Sequence, residues 1–304
     1  MSPFDEWYEK AGVRRDPRRV LDEELDSGKA LFPRRLIPYL DHPIVGKLDS
    51  AALERLVARH TYQYFAFTAH FETRVVNRAT EMLANGRLDM PAGPAMRMDA
   101  YKIYCDEAYH ALYSFDVIQQ LETASGVHAL PYDFDPFLGE LDAISDRIMP
   151  SRGSLPQLLQ VVVFETLVTA ILSDVPKDRT LVSLVRDTVQ DHAKDEGRHH
   201  AFFSDVFREL WTGLDRELRG EVAKCLPRLI VRSLAPDMRP VRANLLAAGL
   251  TTAEAAQVQA DVYRPATLRD TAKQHAKQSI RLFQTVGVLD LPEGVDAFNE
   301  EGLL

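Results

Sequence analysis

Apolar residues recur three and four positions apart along most of the chain, and no stretch alternates with the period of two that a half-buried strand requires. The pattern reads as all-α. Asp49 and Ser50 offer an N-cap for a long helix over about 51–85, with Gly86 as its stop. A turn built on Pro91, Gly93 and Pro94 leads to a second long helix over about 95–125, closed by Gly126. Residues 127–152 read as a connection with a short helix over 136–149. A third helix is expected from near Ser154 and Pro156 to before Pro176, and a fourth from near Asp178 to about Trp211. Residues 216–260 read as further helix interrupted by Pro227, Pro236 and Pro240, and a last helix runs over about 267–286. Residues 1–48, punctuated by Pro17, Pro33, Pro38 and Pro43, read as short helices and loops wrapping a bundle.

The most apolar run, Leu158 to Leu172, is shorter than a membrane span and contains Gln160 and Glu165. It reads as a buried helix with a polar purpose, so no membrane partner is expected. At 304 residues the chain is long for one four-helix unit. We expect a single domain: an N-terminal wrap over 1–48, a bundle over 49–212 and C-terminal helices over 213–304. The net charge of −9 argues against nucleic-acid binding. Two widely separated cysteines, Cys105 and Cys225, argue against a disulfide framework and for a reducing cytoplasm. The charged stretch from Met1 to Arg19 is unlike a signal peptide.

An internal repeat carries the chemistry. Glu72 precedes Glu107, which opens Glu107-x-x-His110; Glu165 precedes Glu196, which opens Glu196-x-x-His199. Taken as antiparallel hairpins, each half returns its two glutamates to nearly the same height, given about 1.5 Å of rise per residue. Residues three and four apart share a helix face, so Glu107 and His110 meet, and His192, Glu196 and His199 form one stripe. Four carboxylates and three imidazoles result. One Glu from each of two helices and Glu-x-x-His from each of the other two is a two-metal carboxylate pattern. Such ligands suit iron or manganese better than a structural zinc. Asp106 and Asp195 precede the two motifs and are placed to orient a ligand histidine across the pseudo-symmetric site.

A buried, unpaired Glu165 inside an apolar run would be costly, so a cation partner is expected for it. Cys105 reads as a small buried hydrophobe. His200 lies off the ligand stripe, and His60, His70 and His275 read as structural or solvated. Tyr104, Phe164, Thr169 and Thr68 lie within a few turns of the ligand heights and are the candidate substrate contacts.

The spacing Glu72, Glu107-x-x-His110, Glu165, His192-x-x-x-Glu196-x-x-His199 resembles that of the ferritin-like diiron N-oxygenases, with His192 as the telling third histidine. The resemblance implies a ferritin-like four-helix core with additional N- and C-terminal helices. It implies seven metal ligands, Glu72, Glu107, His110, Glu165, His192, Glu196 and His199, holding two iron ions, with manganese as the alternative at one or both positions. It also implies O2-dependent oxidation of an amine, free or carrier-bound, to hydroxylamine, nitroso or nitro products in a biosynthetic pathway, and a homodimer. The chain shows no glycine-rich dinucleotide fingerprint, so electrons should come from a separate reductase. The same metal site could serve a hydroxylase or desaturase acting at carbon. Iron storage is the reading from another class, disfavoured by the chain length and by His192.

Overall fold

The computed structural model describes residues 2–22, 26–88, 90–172 and 174–304, apart from the side chains of residues 169–171. The N-terminal segment contains two short helices, α1 (Trp7–Lys10) and α2 (Gly12–Arg15). The first long helix, α3 (Ser50–Phe71), starts where the Asp49 carboxylate accepts the Ala52 N–H at 2.7 Å. It does not continue unbroken. A π-helical turn over Glu72–Val76 intervenes before α4 (Asn77–Ala84). The wider turn buries Glu72 together with Val75 and Val76. Gly86, at φ 67°, follows the end of α4.

The next helix, α5 (Pro94–Ser125), ends on Gly126 in the left-handed region at φ 68°. It is followed by α6 (Asp135–Ile148) and α7 (Leu155–Ile171). The fourth bundle helix, α8 (Ser183–Gly213), begins five residues later than the sequence suggests. The Asp178 side chain binds Thr180 in a local turn instead of capping a helix. Asp26 from the N-terminal wrap supplies the cap, accepting the Ser183 N–H at 2.9 Å and the Ser183 hydroxyl at 2.7 Å.

Beyond the bundle, α9 (Arg216–Leu234) runs straight through Pro227, which is buried within it, so that proline does not interrupt the helix. It is followed by α10 (Met238–Ala247) and α11 (Thr252–Val262). The expected last helix is two, α12 (Pro265–His275) and α13 (Lys277–Val286), with Ala276 between them. A final helix, α14 (Pro292–Glu300), has Pro292 in its first turn. The described residues contain no strand, only an isolated bridge between Ala30 and Leu181. No described helix is long and apolar enough to cross a membrane.

The core of the molecule sits among α3–α4, α5, α7 and α8. The α3–α4 helix packs on α5, α7 packs on α8, α5 meets α8, and the π turn touches both α5 and α7. α9 covers α6 and α7, with α14 behind it. Burial of Phe65, Phe71, Leu121, Val161, Val162, Val163, Leu167 and Phe203 holds these helices around their polar centre.

Candidate metal centre

Among those apolar side chains lie Glu72, Glu107, His110, Glu165, His192, Glu196 and His199, each at most 3% exposed. They fall into two groups. Glu72, Glu107, His110, His192 and Glu196 present one ligand atom each within 4.8 Å of one another, as do Glu107, Glu165, Glu196 and His199. Glu107 and Glu196 belong to both groups. The structure therefore brings together all seven residues that the spacing picked out.

The contacts are close but poorly aligned for hydrogen bonding. His199 Nδ1 lies 2.7 Å from Glu107 Oε1, and His192 Nε2 lies 2.9 Å from Glu196 Oε1 and 3.3 Å from Glu72 Oε1. Yet among the described residues His199 Nδ1, His192 Nε2, Glu107 Oε1, Glu72 Oε2 and both oxygens of Glu165 and Glu196 have no hydrogen-bond partner. Leaving this many buried polar atoms unsatisfied would cost ~1–3 kcal/mol each or more. Apart from the hydrogen bond of His110 Nδ1 with Glu107 Oε2 at 2.8 Å, the lone pairs of these carboxylates and imidazoles converge without pairing, which fits divalent cations with mixed oxygen and nitrogen ligands.

Two histidines are aimed by the aspartates of the opposite half. His110 Nε2 lies 3.2 Å from Asp195 Oδ2, and His199 Nε2 lies 3.2 Å from Asp106 Oδ2. With the outer nitrogen bound to a carboxylate, Nδ1 of each ring faces the glutamates. The aspartates are themselves held. The Trp7 indole N–H donates to both oxygens of Asp106 at 2.9 Å. The Gly12 N–H reaches both oxygens of Asp195 at 3.3 Å, and Arg198 pairs with the same carboxylate. A Cβ on Gly12 would sit 2.8 Å from Asp195 Oδ2, so a side chain there would displace the carboxylate. Phe4 stacks on His199 at 6.0 Å between ring centroids.

Electrostatics divides the carboxylates. Burial, then the neighbouring charge of Glu107, pushes Glu72 up to about 8. Burial, then Glu196 and Glu107, holds Glu165 well above the usual carboxylate range. Burial also disfavours ionisation of Glu107 and Glu196, but the histidines outweigh it: His199 and His110 draw Glu107 down to about 2, and His199 and His192 draw Glu196 well below its ordinary value. Burial opposes charge on His110 and His199, yet Glu107 raises both well above the ordinary imidazole value. These groups hold protons that cations would replace.

The structure corrects two readings from sequence. Tyr104 lies on the outer face of α5, 41% exposed, away from the cluster, because Glu107 and His110 turn the opposite face inward. Cys105 beside it is exposed, not buried. Phe164 is buried and stacked on Phe71 at 3.7 Å, in the wall next to Glu165. Thr68 is half-buried and its hydroxyl donates to the Tyr64 carbonyl. The side chain of Thr169 lies outside the described residues.

Trp7, Gly12 and Phe4 were not foreseen, because they reach the site only through tertiary packing. Arg198 was missed as well, although its position three residues from Asp195 on one helix is a signal that could have found it. Tyr113 was missed too: its ring lies 5.4 Å from that of His110 and 6.1 Å from that of His192. It also lines a cavity of about 220 Å³ with Gly12, Asp16, Arg19, Tyr109 and Asp195, on the outer side of the histidines.

The family described as p-aminobenzoate N-oxygenase AurF matches residues 17–287. The 4-aminobenzoate N-oxygenase of Streptomyces thioluteus is 22% identical over 270 residues, covering 82% of this chain and 80% of that protein.

Proposed function

The chain belongs to the p-aminobenzoate N-oxygenase AurF family and is an oxidoreductase of that kind, and from this premise we propose that it oxidises the nitrogen of an arylamine in a biosynthetic pathway. The observation that carries the reading is the convergence of seven buried ligand residues with Glu107 and Glu196 common to both groups. Glu107 and Glu196, common to both groups, would help to hold two iron ions, or manganese at one or both positions. Glu72, His110 and His192 would complete one coordination sphere, and Glu165 and His199 the other. Bound there, the metal pair supplies O2 activation.

The chain's own residues do the rest. Asp195 and Asp106 hold His110 and His199 with their inner nitrogens towards the glutamates. The apolar shell around them, including the Phe71–Phe164 stack, keeps bulk water from the reacting atoms. In the first oxidation the amine nitrogen gains one oxygen atom of O2. The other oxygen leaves as water with two electrons from a separate reductase and two protons. Repetition gives nitroso and nitro products. Assembly as a homodimer belongs to the same reading.

The test is product analysis after incubating iron-loaded protein with reductant, isotope-labelled O2 and a panel of arylamines that includes 4-aminobenzoate. The expected result is label on nitrogen. Label on carbon would favour a hydroxylase, and no transfer to any arylamine would overturn the substrate class.

A further inference from the structure

The seven side chains of the cluster are each at most 3% exposed, so a cation bound for them must pass between helices. The two sides of the cluster offer it different passages. Beside Glu165 the wall is apolar, with Phe164 stacked on Phe71 at 3.7 Å and both rings buried. Such a wall offers a charge nothing in place of its water. On the side of the histidines lies the cavity of about 220 Å³, walled by α5 and α8 and bordered by residues 16–19. Its inner end reaches the cluster: Asp195 in its lining lies 3.2 Å from His110 Nε2, and the Tyr113 ring lies 5.4 Å from that of His110. Its mouth is spanned by the chain itself, where Arg18 pairs with Asp116 of α5 at 2.7 Å and Arg19 with Asp191 of α8 at 2.7 Å.

Two observations identify what the cavity takes. The first is hydroxyl groups without partners. Thr188 lines the cavity at 2% exposure, and its Oγ1 has no hydrogen-bond partner among the described residues. Thr166 on the neighbouring α7 turns its hydroxyl back to the Val162 carbonyl; Thr188 does not use its own helix in this way. The Tyr113 hydroxyl in the same lining is also buried and unpartnered. Buried hydroxyls are ordinarily paired, so these two are placed for a guest. The second is charge. Asp16, Asp116, Asp191 and Asp195 line the cavity against Arg18 and Arg19. Both guanidinium groups are engaged in the ion pairs at the mouth, and outside the lining Lys194 pairs with Asp191 and Arg198 with Asp195. The Asp16 carboxylate has no hydrogen bond or ion pair among the described residues, and burial, then the charge of Asp191, raises it above its ordinary value. A free acceptor beside cations that are already paired suits a cation and not an anion. The room suits one that keeps its water, since about six waters at ~30 Å³ each fill roughly 180 Å³.

We propose that this cavity is the loading route of the metal centre: a hydrated divalent cation enters at the mouth, is held by the Asp16 carboxylate and the Thr188 and Tyr113 hydroxyls, and passes beside Asp195 to the histidines. The Arg18–Asp116 pair is the barrier at the mouth. The Arg18 side chain is 67% exposed, so the pair is weak in water and opens readily. The route rests on the metal centre of the reading above and not on amine oxidation.

The experiment mixes the metal-free full chain anaerobically with ferrous ion and follows uptake in time by quenching into a ferrous chelator. We expect Asp16→Asn and Thr188→Val to slow uptake about 3- to 10-fold and Arg18→Ala to speed it about 2- to 5-fold, each ending at the iron content of the parent. Asp146→Asn, the same charge change at an exposed position on α6, should load at the parental rate. Raising the ionic strength should slow the parent more than Asp16→Asn. A damaged fold would not load faster in one variant and slower in another at equal final content. Parental rates in Asp16→Asn and Thr188→Val, or slower loading in Arg18→Ala, would overturn the route and leave the centre in place. A parent chain that takes up no iron would overturn the centre and the route together.

Discussion

In the first half of the bundle, Glu72 is delivered by a π turn at the end of α3, facing Glu107 and His110 on α5; in the second, Glu165 is delivered by the regular helix α7, facing Glu196 and His199 on α8. The plan repeats, but the outcomes differ. His192, one turn before Glu196, contacts Glu72 and has no counterpart on α5, where the equivalent position is Ile103. Glu72 therefore shares its group with two imidazoles, and Glu165 with one. The outer supports differ as well. Asp106 is held by the Trp7 indole, Asp195 by the Gly12 backbone and Arg198. Repeated motifs thus set up two similar groups of carboxylates and imidazoles, and single residues outside the repeat make them unequal.

The sharpest way to break the comparison is to remove what both halves share. Glu107→Ala or Glu196→Ala should empty both positions, taking iron from about two per chain to well below one, as elemental analysis would report. Removing what only one half has should be selective. His192→Ala is expected to weaken the position that includes Glu72 and leave the other filled, giving close to one iron per chain and slower amine oxidation; an unchanged iron content with full activity would show that His192 is dispensable.

Smaller effects belong to the supports. Asp195→Asn and Asp106→Asn should each lower metal affinity ~10–100-fold, measured by competition with a chelator. Trp7→Phe removes one buried hydrogen bond and should cost ~1–2 kcal/mol of stability in denaturant titration, acting through Asp106. Gly12→Ala should instead disturb Asp195, and the two variants should differ in which imidazole resonances shift in NMR of the metal-free protein.

The smallest effect is on pH dependence. Glu72 and Glu165 are raised above their unfolded value of 4.5, so their contribution is full below that value and is lost as pH rises through the folded one, about 8 for Glu72. His110 and His199, raised above 6.5, act in the same direction. Glu107, lowered to about 2, contributes above 4.5 and loses that contribution only as pH falls towards 2. Chelator-stripped protein should therefore melt a few degrees lower at about pH 9 than at about pH 6, and metal-loaded protein should lose less.

The clustering of the seven carboxylate and imidazole side chains was legible because it rests on local rules: three- and four-residue spacing on a helix, and hairpins that return glutamates to one height. The Asp49 cap and the Gly126 stop were legible for the same reason. What escaped the sequence depends on contacts between distant segments. The start of α8 is fixed by Asp26, 157 residues away, while Asp178 only looks like a cap. Pro227 stays inside a helix because tertiary packing on α6 and α14 outweighs its missing N–H. The π turn at Glu72 follows no pattern of apolar spacing. Nor does any local signal place Trp7 and Gly12 against the aspartates, and both precede residues 17–287, where the family match lies.

The central claim, one dinuclear centre shared by two unequal halves, is tested most directly by Mössbauer spectroscopy of the iron-loaded, oxidised chain. The account predicts two inequivalent ferric sites in equal amounts, coupled to a diamagnetic ground state because Glu107 and Glu196 would help to hold both ions. Magnetically isolated ferric ions, or a single site, would contradict it.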